Sequence, residues 1–209
     1  MRAMSVLRFV LFGAVGFGSG WTLLGVFGGG FAVAGGVGLV LGGAIFSGDL
    51  PALALYALVL SVSGAFGGAM LGLSLRDGRK AAVMALLGAV GFFFGSFVVA
   101  GLFFLPFLHA GYGSLEAVSA AALGLAVSAT LSLALQSWRG TAVLALMGLV
   151  GFGTGGVIAA ALQGFPLQPL EGSPSWQDAA FGAIEGLIGG ASLGAALGYL
   201  EYRKPAPER

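Results

Sequence analysis

Long stretches without a single formal charge constrain this chain more than any other feature. No Asp, Glu, Lys or Arg occurs between Arg8 and Asp49, and apart from His109 nothing interrupts the apolar character between Lys80 and Glu116. About 20 consecutive apolar residues suffice to cross the hydrocarbon core of a bilayer. No water is available there, so the backbone must satisfy its own hydrogen bonds as a helix or a closed barrel. Barrel strands alternate apolar and polar residues over about ten positions, and these runs do not alternate. The sequence therefore predicts an all-α integral membrane protein. Charged residues make up only 8% of the 209, against about 25% in a soluble domain, too few to cover a water-facing surface.

The apolar runs and the turn-forming segments between them predict six spans, near 5–27, 51–75, 80–104, 115–137, 140–162 and 177–200, in a single domain over 1–209 with a short tail at 201–209. Turn chemistry marks the joints at 47–51, 76–79, 106–114 and 166–174, each rich in Gly, Pro, Ser or Asp. Pro51 falls where a first-turn proline is tolerated. The N-terminal apolar stretch is longer than the 7–15 residues of a signal-peptide core, so it is read as a retained first helix.

Charge then orients the bundle. Threaded through six spans, all nine Lys and Arg residues fall on one side with Asp77, Glu201 and Glu208, for a net +6; the other side holds Asp49, Glu116, Glu171, Asp178 and Glu185, for −5. Basic residues favour the cytoplasmic side, which predicts cytoplasmic N- and C-termini in a bacterial plasma membrane. Trp138 and Trp176 lie near opposite interfaces. The segment 25–48 departs from this scheme: it is apolar and contains ten glycines. It is open to three readings, a re-entrant segment, a seventh span, or an apolar cap. A seventh span would place Arg2 and Arg8 on the wrong side.

The chain also repeats itself. Gly13-Ala-Val-Gly-Phe-Gly-Ser-Gly20 recurs as Gly88-Ala-Val-Gly-Phe-Phe-Phe-Gly95 and as Gly148-Leu-Val-Gly-Phe-Gly-Thr-Gly155, in the odd spans. Gly64-Ala-Phe-Gly-Gly-Ala-Met-Leu-Gly72 matches Gly186-Leu-Ile-Gly-Gly-Ala-Ser-Leu-Gly194, with a weaker copy at 124–132, in the even spans. This predicts three parallel helical-hairpin repeats (5–75, 80–137 and 140–200) around a pseudo-threefold axis, with 25–48 inserted after the first helix.

Within a bilayer, close packing rather than apolar burial holds helices together, and small residues permit it. Residues four apart share a helix face. Gly182, Gly186, Gly190, Gly194 and Gly198 form such a series in span six, and Gly64, Gly68 and Gly72 another in span two. Gly16 and Gly20, Gly91 and Gly95, and Gly151 and Gly155 are the packing candidates of the odd spans. Glycine costs about 1 kcal/mol relative to alanine in an aqueous helix, so its concentration here implies close contact in return.

Little chemistry remains. The absence of cysteine removes disulfides and thiol catalysis, and one histidine cannot form a His-pair metal site. Gly16-Phe17-Gly18-Ser19-Gly20 follows no strand and has no adjacent lysine, so it is not a nucleotide loop. The three-hairpin outline is shared with mitochondrial carriers, but their Pro-x-acid-x-x-base signature is absent from the odd spans, and no family follows from it. Glu185 is the one acidic residue well inside a span, and an intramembrane carboxylate is by default a functional candidate. Its repeat counterparts are Ser63 and Leu123. His109 reads as an exposed loop residue, and Asp49, Glu116, Glu171 and Asp178 as loop polarity. The sequence thus predicts a non-enzymatic protein with no cofactor, metal or nucleic acid. Its surroundings are the lipid bilayer and, as protein partner, another membrane protein or a second copy of the chain. The leading reading is an accessory or assembly subunit; the alternative is a small channel or transporter.

Overall fold

A computed structural model describes residues 2–28, 50–102, 112–135, 137–163 and 174–203. They form six α-helices: α1 (Arg2–Gly28), α2 (Leu50–Ser74), α3 (Gly78–Leu102), α4 (Tyr112–Ser132), α5 (Trp138–Gln163) and α6 (Pro174–Tyr202), with a 3-10 turn at Leu133–Leu135 after α4. All six contain a stretch long and apolar enough to cross a membrane, an architecture compatible with a polytopic integral membrane protein. Of the glycine-rich segment 25–48, only Gly25–Gly28 falls within α1; the rest lies outside the described residues.

Each helix packs against its neighbours in the chain, and α6 returns to pack on α1, so the six close into a ring. Large apolar side chains also face outward. Leu11, Leu58, Leu86, Phe94, Leu146 and Val157 are all more than half exposed, which suits surroundings of lipid rather than water. The start of α1 and the end of α6 lie together, since a methyl group on Gly198 would sit 3.2 Å from the Val6 Cα. Arg8, Arg76, Arg79, Lys80, Arg139 and Arg203 therefore share the end of the bundle where α1 begins.

The short connections at this basic end explain their own helix boundaries. Asp77 caps α3: its Oδ1 accepts from the backbone N–H of Arg79 (2.9 Å) and Lys80 (3.2 Å). Its carboxyl is held below the ordinary carboxylate range, first by the Lys80 backbone N–H, against the opposing effect of desolvation, with further lowering by the Arg79 backbone N–H and the Lys80 ammonium. Arg76 just before it adopts a left-handed conformation, φ 58°, and closes α2 through its N–H to the Leu73 carbonyl, 2.9 Å. Ser137 caps α5 by accepting from the Gly140 N–H at 3.3 Å.

That second cap corrects the fourth span, expected over 115–137. Ser137 cannot both continue α4 and cap α5. The hydroxyls of Thr130 and Ser132 donate to carbonyls three residues back, at 2.9 and 2.6 Å, and α4 ends at Ser132. The motif-aligned helix α6 runs to Tyr202, about two turns further along its own axis.

Glycine contacts also correct the simple picture of one packing face per odd span. Gly13, Gly88 and Gly148 approach the preceding even helix, or for Gly13 the closing helix α6; they meet Gly190, Gly64 and Gly124 respectively. Gly16, Gly91 and Gly151 turn instead to the following even helix, against Gly67, Val127 and Ser192. Each odd motif is thus shared between two partners. On α6 the contacts run in order down α1: Gly186 on Phe17, Gly190 on Gly13, Gly194 on Phe9. Motif alignment would set Gly13 opposite Gly186, as Gly88 is opposite Gly64. The closing interface is therefore displaced by four residues, or about 6 Å along the helix.

Candidate functional site

The centre of the ring is aromatic. Phe17, Phe92 and Phe152, the fifth residues of the three odd-helix motifs, are all completely buried. Their ring centroids lie 6.2 Å (Phe17–Phe92), 5.6 Å (Phe17–Phe152) and 6.5 Å (Phe92–Phe152) apart, within the ordinary range for aromatic pairs. Glycine makes room for all three rings: a methyl group on Gly189 would lie 2.5 Å from Phe152 Cδ2, one on Gly64 2.6 Å from Phe92 Cδ2, and one on Gly67 would overlap the Phe17 ring. Trp21, one turn beyond Phe17, is also fully buried and sits 5.9 Å from Phe92.

Glu185 lies beside this aromatic core, with no solvent exposure. Its backbone packs on Gly155 of α5, where a methyl group would stand 2.9 Å from the Glu185 Cα. Motif-equivalent positions make the same kind of contact. A methyl group on Gly20 would lie 2.9 Å from the Ser63 Cα, and one on Gly95 3.7 Å from the Leu123 Cα. Ser63 uses the approach to donate a 2.8 Å hydrogen bond to the Gly20 carbonyl. Leucine at the second position completes the apolar core, while Glu185 places a carboxyl group in it. Burying its charge would cost several kcal/mol without compensating interactions.

Among the described residues, several span hydroxyls are turned to their own helices. Ser61, Ser96 and Ser192 donate to the carbonyl four residues back in their own helices at 2.7, 2.7 and 2.9 Å, and Ser128 does so to Gly124. The Ser119 hydroxyl and the Trp21 indole N–H are buried without a hydrogen-bond partner.

Of the other sequence candidates, Asp49, His109 and Glu171 lie outside the described residues, and Glu116 and Asp178 are the fifth residues of α4 and α6. A methyl group on Gly64, Gly186 or Gly190 would lie 2.7 Å from a backbone carbonyl carbon of the facing helix. Gly68 meets Met84, Gly72 meets Ala81, and Gly182 is buried. Sequence reasoning missed two features. Phe17, Phe92 and Phe152 were present in each copy of the motif, yet only its glycines were weighed. Trp21 lies within the first span, and its complete burial was not read from the sequence.

No protein-family profile, curated protein or solved structure matches the chain.

Proposed function

We propose that this protein is a non-enzymatic packing component of the membrane, an accessory or assembly subunit built from three parallel hairpins about a pseudo-threefold axis. The aromatic triad carries the reading. A pathway along the axis would have to pass Phe17, Phe92 and Phe152, whose side chains are in mutual contact and fully buried. The self-satisfied hydroxyls point the same way, because a conducting path needs polar groups turned toward it. Motif-equivalent glycine contacts in all three hairpins, Gly20 with Ser63, Gly95 with Leu123 and Gly155 with Glu185, support the repeat. The one-sided basic residues support cytoplasmic termini in a bacterial plasma membrane. Tandem affinity purification in mild detergent tests the role: a membrane protein recovered in fixed stoichiometry is expected. A lone chain at every detergent concentration, with none captured by crosslinking in native membranes, would count against it. Labelling of single cysteines at positions 2 and 209 tests the orientation, and labelling of either from outside would refute it.

One observation favours a second reading, a small channel or transporter. Glu185 is a fully buried carboxyl group in an apolar core, and such groups mark ion and proton routes in other membrane proteins.

A further inference from the structure

The basic end of the bundle contains a half-open cavity of about 890 Å³ that the aromatic core does not account for. It follows from the early end of α4. The glycines of α2 and α6 carry those helices close along their partners, as Gly72 does on Ala81 and Gly194 on Phe9. At α4 the 3-10 turn Leu133–Leu135 replaces that last stretch of helix, and a space remains between α3, the α4–α5 turn and the end of α6.

The lining is divided by chemistry. Leu87, Leu135 and Leu200 form an apolar floor and pack against the core of the bundle. The rim carries Arg79, Lys80 and Arg203, with exposed Arg76 and Arg139 beside it in sequence. Two acids also belong to the rim, Asp77 and Glu201. Asp77 is turned to the α3 amides and to Lys80, whose Nζ lies 3.7 Å from its Oδ2. Arg203 stacks over the Tyr199 ring at 4.7 Å, which holds its guanidinium at the helix end. Three lining cations, with Arg76 and Arg139 beside them in sequence, stand against two acids; set above leucines at the depth where helices leave the bilayer, they complement a molecule with an anionic head and an apolar tail.

We propose that this cavity binds an anionic phospholipid, its phosphate at Arg79 and Arg203 and an acyl chain along Leu87, Leu135 and Leu200. Basic pockets between transmembrane helices recognise lipid head groups by this combination of charge and membrane depth. A soluble phosphate would use the rim alone and leave the apolar floor wet.

Native mass spectrometry of delipidated protein in neutral detergent tests the assignment, with phosphatidylglycerol and phosphatidylcholine of identical acyl chains and with glycerol 3-phosphate as probes. One phosphatidylglycerol is expected to bind at least about tenfold more tightly than phosphatidylcholine, and glycerol 3-phosphate is expected not to compete. A cation near an anionic lipid head contributes about fivefold in affinity, so the double variant Arg79→Ala/Arg203→Ala should bind about thirtyfold more weakly. Ala134→Trp, at an exposed position on the wall, should block the site without touching a charge. Equal binding of the two lipids would overturn the proposal. So would phosphatidylglycerol binding that survives Ala134→Trp unchanged, since that lipid would be held on the outer surface. Competition by glycerol 3-phosphate at the affinity of the lipid would assign the rim to a soluble anion instead.

Discussion

Replacing Gly190 by alanine adds one methyl group to the closing interface, and the structure gives it no room. It would stand 2.7 Å from the Gly13 carbonyl carbon and 2.9 Å from the Phe17 Cβ, where non-bonded carbons prefer about 3.5–4.0 Å. The Gly13 carbonyl group in its way is backbone, so α1 and α6 must separate locally by roughly 1 Å. Overpacking of this kind costs about 1–3 kcal/mol, and the gain in helix propensity returns at most about 1 kcal/mol. Net destabilisation of up to about 2 kcal/mol is expected. Gly190→Leu, which adds further atoms in the same direction, should reach the upper end of the overpacking range. Gly101 provides the control, because a methyl group there meets nothing within 4 Å; Gly101→Ala should be neutral or slightly stabilising. Reversible unfolding in mixed micelles, followed by helical circular dichroism, measures all three. If Gly190→Ala proves as stable as Gly101→Ala, close contact at this interface is not what holds α6 to α1.

Other consequences follow from the core and the caps. Phe92→Ala removes a ring in contact with Phe17, Phe152 and Trp21 and should cost about 3–5 kcal/mol in the same assay, whereas the half-exposed Phe94 should tolerate alanine with little loss. Asp77 contributes stability that is complete above the ordinary carboxylate value and is lost as pH falls through its lowered value; melts on the acid side should show this loss for the wild type and a smaller one for Asp77→Asn.

The spans were legible because a charge-free run longer than a bilayer is thick leaves one solution, and α1 to α5 fall where such a run was found; α6, interrupted by Glu185, was legible from its apolar stretch alone. Boundaries were less so. The end of α4 depended on competition between helix propagation and a cap at Ser137, and no apolar pattern records that contest. Glycine spacing pointed to one shared face on each of α2 and α6, since residues four apart must share a face. It did not reveal that Gly13 and Gly16, three apart, look toward different helices, nor the four-residue displacement between α1 and α6, because register is set by the whole ring as it closes. Glu185 stood out as a carboxyl group in an apolar run, and the structure buries it completely. The cavity at the basic end was invisible, because it is made from the ends of helices far apart in sequence and from the part of α4 that does not form.

Ion movement across a membrane tests most directly whether the aromatic core closes the bundle. Purified protein in liposomes, with proton and monovalent-cation gradients imposed in turn, should give no flux above that of protein-free vesicles, and Glu185→Gln should behave as the wild type does. Wild-type flux that Glu185→Gln abolishes, while its helical signal and unfolding remain unchanged, would contradict the packing role and make Glu185 the centre of a transport pathway.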